Sequence, residues 1–379
     1  MLRYWTAGES HGKCLLALID GFPAGFEIQT DFIDELLRLR QGGYGRGGRQ
    51  KLETDKVEIL TGVWNNVTLG GPVTLKVVNS DYKLERLHEL PRPRPGHGDL
   101  SGSIKYLGSI RGVLERASAR ETCVRVAAGG LCQLLLESFG IKTLGYVIQL
   151  GPEKIPPREG SHEEKKNWRN ESAIYSLDPS RDEEIKLMID QTRRAGDTLG
   201  GIVEVVVEGL PFGLGTHAQW DRKLDGKIAQ AVMAVQAFKG VEIGLGFAAA
   251  GMRGSEVHDG IRFDPDKVDS PTLGYERPTN NAGGLEAGMT NGQPLVIRAA
   301  KKPISTLSKA LESIDMESKE PMKASYERSD VCALSAAAII IENVVAFEIA
   351  AALIDKFGGD SIEEMQARWQ LFHQMARDK

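Results

Sequence analysis

The chain has too few cysteines, too far apart, for a disulfide framework or a zinc site. Its four, Cys14, Cys123, Cys132 and Cys332, contain no C-x-x-C pair and no metal spacing. Cys123 and Cys132 fall in an apolar helical stretch and read as buried free thiols, which suits a reducing compartment. Excess positive charge is also missing. The net charge of −5 argues against a chain-wide nucleic-acid footprint. The most apolar stretch, Val331 to Ile341, is interrupted beyond that point by Glu342, Asn343 and Glu348. It is too short to span a bilayer and predicts a buried core helix. The first residues lack the apolar core of a signal peptide and the Arg/Ser-rich character of a transit peptide. The expectation is a cytoplasmic protein with no membrane and no nucleic-acid partner. No P-loop, H-E-x-x-H or zinc pattern is present.

What is present is glycine, 43 of 379 residues, clustered and not scattered. Nothing marks a linker, so the pattern predicts one domain over residues 1–379, with a charged surface excursion at about 152–172. Thr30 or Asp31 can cap a helix that Gly42-Gly43 stops. Further helices are expected over Leu114–Ser138, Leu224–Phe238 and Val331–Phe357, and Ser361 with Glu364 makes a capping box for the last. Strand patterns cover Val57–Val63, Val73–Val78, Thr143–Leu150, Ile202–Val207 and Pro294–Arg298. Two stretches are alike, Leu18 to Gly25 and Val206 to Gly213. Each reads apolar strand, acid-Gly-apolar-Pro-x-Gly, then a loop and a helix. Internal duplication and chance similarity of two strand-turn-helix units both account for this.

Gly8-Glu9-Ser10-His11-Gly12 fits G-x-S-x-G, but the nine residues before Ser10 leave no room for an oxyanion loop. What remains is a glycine frame presenting a hydroxyl beside an imidazole. Arg92-Pro93-Arg94-Pro95-Gly96-His97-Gly98-Asp99 repeats the theme, with Asp99 placed to orient His97. Each histidine is read either as structural or as a proton-transfer group. Arg38, Arg40, Arg46, Arg49 and Lys51 populate Leu36–Leu52, which contains no acid. Its G-x-G-x-x-G through Gly43, Gly45 and Gly48 follows a helix instead of opening one, so a dinucleotide fingerprint is excluded. Bidentate capture of phosphate or carboxylate and a solvated basic face remain the two readings. Arg116 and Arg120, at i,i+4, are placed on one helix face, and Arg116 can equally pair with Glu121. Asn280–Gly292 followed by Lys301–Thr306 can wrap a flat or phosphorylated ligand. Asp330 stands where a helix should begin, as a site carboxylate or an N-cap.

Taken together, Gly8–Gly12, the Arg40–Arg49 loop, Arg94–Leu100, Leu114–Ala128, Phe238–Gly244, Asn280–Gly292, Lys302–Thr306 and Arg328–Cys332 resemble the chorismate synthase family, in the family's order. Two small departures are Gly98, where the family usually has alanine, and Ala287, among positions often held by glycine. The resemblance implies a layered α+β helix/sheet sandwich with an internal duplication, assembled as a homotetramer. It implies a lyase: 5-enolpyruvylshikimate 3-phosphate loses phosphate in a 1,4-anti elimination to give chorismate. Reduced FMN (FMNH2) is required but not consumed, and NADPH is an external or intrinsic reductant. An NAD(P)H-dependent flavin oxidoreductase is the alternative. By motif, His11 protonates the leaving phosphate, His97 faces the flavin, and Asp330 assists hydrogen removal. Ser10, Arg40, Arg46, Arg49, Ser118, Arg120 and Arg328 bind substrate. Arg116, Ala117, Ser118, Gln236, Ala237, Ala287, Lys302, Pro303, Ile304, Ser305, Thr306 and Arg328 hold FMN.

Overall fold

The computed structural model describes residues 1–48, 53–327, 329–377 and 379. Strands β1 (Arg3–Ala7), β2 (Cys14–Asp20), β3 (Val57–Thr61) and β6 (Val73–Val78) form an antiparallel sheet of order β1-β2-β6-β3. Between β2 and β3 runs α1 (Thr30–Gln41), and a small ribbon of β4 (Val63–Trp64) and β5 (Val67–Thr68) leads into β6. Helices α2 (Asp99–Tyr106), α3 (Ile110–Ala117) and α4 (Thr122–Glu137) complete the first half. The second half contains β7 (Lys142–Leu150), β8 (Glu153–Lys154), α5 (His162–Glu171), α6 (Asp182–Arg194), β9 (Gly201–Glu208), β10 (Phe212–Gly215), α7 (Leu224–Met233) and β11 (Phe238–Ile243). Peripheral elements α8 (Gly254–Val257), β12 (Arg262–Phe263) and β13 (Tyr275–Glu276) follow. Then come β14 (Leu285–Glu286), β15 (Met289–Asn291), β16 (Leu295–Lys301), the ribbon β17 (Glu312–Ile314) and β18 (Pro321–Lys323), α9 (Leu334–Phe357) and α10 (Ile362–Ala376). The second sheet has the order β11-β16-β9-β7-β8.

The layers are sheet, helices, helices, sheet. α1 and α4 pack on the first sheet, α7 and α9 on the second, and α4 lies directly against α9. α9, expected over Val331–Phe357, is long and apolar enough to cross a membrane by length and composition, although the apolar run read in the sequence, Val331 to Ile341, is too short to do so. In this fold it is instead buried nearly all round, which is what an uninterrupted apolar surface requires. It begins at Leu334, after Ala333, with no side-chain cap, so Asp330 is not its N-cap. Nor do Thr30 or Asp31 cap α1. The helix starts at Thr30 after an uncapped Gln29, and Asp31 sits in the first turn, where the helix dipole favours a carboxylate. The Ser361–Glu364 capping box forms as expected.

The internal duplication extends well past the matching turns. Thr68 Oγ1 donates to Pro23 O at 2.6 Å and accepts from Phe26 N–H at 2.9 Å. In the second half Thr290 Oγ1 donates to Pro211 O at 2.6 Å and accepts from Leu214 N–H at 2.8 Å. Gly62 and Gly284 hold the corresponding positions before these threonines, with φ of 84° and 83°. A Cβ on Gly62 would meet Pro72 O at 2.5 Å, and one on Gly284 would meet Pro294 O at 2.6 Å. Both conditions exclude a side chain. Chance similarity of two turns does not reproduce the same threonine clasp and the same glycine contact.

Two segments differ from the sequence reading. The predicted helix Leu114–Ser138 breaks at Ser118, whose backbone is extended (φ −63°, ψ 139°) and whose Oγ accepts from Arg120 N–H. A serine offering its own hydroxyl to the backbone competes with the helix there. Residues 152–172 are less loose than their composition suggests, because α5 carries a complete Ser161–Glu164 capping box. Its Arg169 is buried against Glu342 of α9 at 3.2 Å.

Candidate active site

The Gly8–Gly12 loop joins β1 to β2 and is fastened from beneath. Asn79 Nδ2 donates to the carbonyls of Glu9, Ser10 and Gly12 at 3.1, 3.3 and 2.8 Å. Its Oδ1 accepts from Arg120 Nε at 2.8 Å. The break at Ser118 brings that serine's Oγ to 3.1 Å from Ser10 Oγ and turns Arg120 inward. Arg120 and Arg40 converge on one buried carboxylate, Asp55, at 2.8 and 2.6 Å. Burial alone would raise Asp55, but the two guanidinium charges outweigh it and hold its carboxyl below the usual range. His11 lies on the same loop. Its Nδ1 is 2.9 Å from Glu115 Oε1, and its Nε2 is 3.9 Å from Asp81 Oδ2.

The second histidine occupies a matching arrangement. His97 Nδ1 lies 2.5 Å from Asp99 Oδ1, so Asp99 does orient the ring. Asp99 is fully buried and also receives Arg94 Nε at 2.8 Å and Nη2 at 2.9 Å. Despite its burial, these donors hold Asp99 well below the carboxylate range. Arg94 Nη1 continues to Thr306 Oγ1 at 3.0 Å, and Lys302 Nζ donates to Gly96 O at 2.6 Å. The His97 loop and the Lys302–Thr306 segment are therefore one unit. Ser329 Oγ donates to Thr306 O at 3.2 Å and carries the unit to Asp330. There Asp330 Oδ2 meets Arg46 Nη1 at 3.0 Å, and Oδ1 accepts Gly47 N–H at 2.6 Å. Burial pushes Arg46 down, and it pushes the neighbouring Lys301 down to about 8.

Gln236 and Ala237 form a third part. Gln236 Nε2 donates to Glu121 Oε2 at 3.2 Å, and Ala237 O accepts from Lys302 N–H at 3.0 Å. Arg116 does not share a face with Arg120, because the helix breaks between them. It stays exposed and donates to the carbonyls of Thr6 and Gly8 at 2.9 and 3.2 Å, not to Glu121. Ala117 ends α3 beside it, while Pro303, Ile304 and Ser305 lie on the segment that Thr198 Oγ1 anchors through Ile304 O at 2.7 Å. Ala287 sits at the tip of the β14/β15 hairpin, and hydrogen bonds among the described residues do not join it to the other groups. Arg49, Lys51 and Arg328 lie outside the described residues. Residues missed in the sequence are Asp55 and Asn79. No motif frames them, and each matters only through partners distant in the chain. Glu115 was visible inside a motif, but its partner His11 was not.

This arrangement of two carboxylate-bound histidines beside buried arginines can be compared with known proteins. The chorismate synthase family model matches residues 2–354. The chain belongs to the chorismate synthase family. The chorismate synthase of Geobacter metallireducens is 51% identical, over 97% of this chain and 98% of its own length. That of Thermoanaerobacter pseudethanolicus is 49% identical, over 98% of each. A crystal structure of a chorismate synthase superposes with a TM-score of 0.82 at 38% identity, covering 100% of this chain and 99% of that one. Chorismate synthases are enzymes, and the layered α+β fold is theirs. The clusters built on His11, His97 and Asp330 stand on segments the family model covers.

Proposed function

We propose that the chain catalyses the redox-neutral 1,4-anti elimination of phosphate from 5-enolpyruvylshikimate 3-phosphate, giving chorismate, with reduced FMN bound and not consumed. The observation that carries this reading is the pairing of each histidine with a buried carboxylate, His11 with Glu115 and His97 with Asp99. Such pairs set the proton on the ring nitrogen facing the carboxylate and leave the other nitrogen for a ligand. His11 donates a proton to the departing phosphate oxygen. Ser10, Ser118, Arg40 and Arg120 hold the substrate's phosphate and carboxylates, with Arg46, Arg49 and Arg328 completing the set. Without guanidinium partners those anions would stay solvated.

The residues present fit a phosphorylated flavin. Gln236 Oε1 is buried with no hydrogen-bond partner among the described residues, so an acceptor remains there for the flavin, while Arg40 Nε and Arg46 Nε leave donors for the substrate anions. Arg116, Ala117, Ser118, Gln236, Ala237, Ala287, Lys302–Thr306 and Arg328 are proposed to hold it, with His97 against its polar edge. When bound, reduced FMN supplies the transient electron density that lets phosphate leave. Asp330 assists removal of the ring hydrogen. Assembly as a homotetramer is part of the proposal, and light scattering of the purified chain reads it directly.

The test is anaerobic conversion of the phosphorylated enolpyruvyl substrate with photoreduced FMN. Phosphate release without net NADPH oxidation is expected. His11→Ala and His97→Ala should each lower turnover by at least roughly ten-fold while remaining folded. Near-normal release by both variants, or NADPH consumed in step with phosphate, overturns the proposal.

A further inference from the structure

Glu115 grips His11 twice. Its Oε2 accepts the His11 backbone N–H at 2.8 Å, and its Oε1 lies 2.9 Å from His11 Nδ1. Its own backbone carbonyl accepts Ser10 N–H at 2.8 Å, so α3 holds both functional residues of the glycine-framed loop. The side chain is 3% exposed, leaving no room for water to take over these bonds. Burial alone would raise Glu115. The side-chain and backbone bonds from His11, with the nearby Arg111 charge, outweigh it and hold the carboxyl below its ordinary value.

The charges around the pair form a short chain. Arg111, on the same helix, is 3.9 Å from Glu115 Oε1 and 2.9 Å from Glu327, just before the Arg328–Cys332 segment. On the far side of the ring, Asp81 lies 3.9 Å from His11 Nε2 and is itself paired with Lys83 at 2.8 Å. On the same loop, Ser10 Oγ accepts from Ser118 Oγ at 3.1 Å. A residue that only anchored the loop would need one oxygen on the backbone N–H. The second oxygen, on Nδ1, has a consequence for the ring itself.

We infer that Glu115 is a positioning residue that fixes the proton of His11 at Nδ1, aims Nε2 at the substrate phosphate and favours the imidazolium from which the proton is given. This rests on the proposed role of His11 as general acid. The physical ground is that a carboxylate on one ring nitrogen sets the tautomer and stabilises the charged ring, more strongly where water is excluded.

The test uses the full chain with reduced FMN and the variants Glu115→Gln and Glu115→Asp. Two readings are taken: the pH profile of kcat/KM for phosphate release, and the His11 titration by NMR, assigned against His11→Asn. Glu115→Gln should move both readings to lower pH. The loss of rate is then larger at pH 8 than at pH 6. Glu115→Asp, which keeps the charge one methylene further away, should recover part of both. Glu115→Gln should also add little to His11→Ala, since both remove one interaction. A ten-fold loss in His11→Ala beside an unshifted titration in Glu115→Gln overturns this inference alone. Normal phosphate release by His11→Ala overturns the general-acid reading and this inference together. Should Glu115→Gln fail to fold, Glu115→Asp carries the same test with a smaller shift.

Discussion

Arg40 lies in the last turn of α1, Arg46 in the basic stretch after it, Arg94 in the proline- and glycine-rich run before His97 and Arg120 at the break between α3 and α4, yet each meets a buried or half-buried carboxylate. The acid-free composition of Leu36–Leu52 left its arginines to be read as anion-capturing or solvated, and it could not reveal that Arg40 and Arg46 are buried against Asp55 and Asp330. Those acids arrive from other segments, so in the proposed function substrate carboxylates and phosphate compete with internal ones. Asp330 shows the consequence. Because α9 starts at Leu334, removing Asp330 should not carry the roughly 1 kcal/mol cost of a lost N-cap. It leaves Arg46 buried without its partner, an arrangement that costs about 3–5 kcal/mol when one member of a pair is deleted. Asp330→Ala is therefore expected to lower Tm clearly. Adding Arg46→Met should restore much of the Tm without restoring phosphate release. Thermal unfolding and the anaerobic assay separate the two effects, and a Tm unchanged by Asp330→Ala would contradict the account.

At the scale of elements, the helix pair α4/α9 sets the distance between the two halves. Gly129 of α4 lies so close that a Cβ would stand 2.3 Å from Asn343 O, and one on Gly145 of β7 would stand 2.5 Å from Ala338 O. Backbone atoms cannot give way as a flexible side chain can, so Gly129→Ala should destabilise the chain by about 1–3 kcal/mol through overpacking. Urea unfolding measures this, and a loss below about 0.5 kcal/mol would show that the helices separate freely. Helix and strand positions were legible because apolar periodicity is local. Val73–Val78 was read to the residue. The break at Ser118 was not legible. Leu114–Ser138 is uniformly helix-favouring in composition, and the break is enforced by the contacts of Ser118 and Arg120 with the Ser10 loop and Asp55.

For the whole molecule, the long apolar run of α9 makes a core that serves both halves, and two carboxylates share it: Glu342, which is paired with Arg169, and Glu348. Burial pushes Glu348 up to about 7, tempered by Lys227 and Arg125. Its folded value thus exceeds its unfolded value, so the folded chain binds the extra proton between roughly pH 4.5 and 7. The stability this group contributes is fully present below that window and is lost as pH rises through 7. Glu348→Gln should therefore gain Tm over the parent chain at pH 8 and little at pH 5, and an equal gain at both would refute the assignment. Local chemistry in the sequence determined which segments are strand, helix and glycine turn, and its ordered motifs determined the family. That is legible because periodicity, turn residues and motif spacing act over a few residues. Only the tertiary structure decided which acid holds which base: Glu115 on His11, Asp55 on Arg40 and Arg120, Asp330 on Arg46. Those pairings depend on side chains tens to hundreds of positions apart meeting where water is excluded, and no local pattern encodes that meeting.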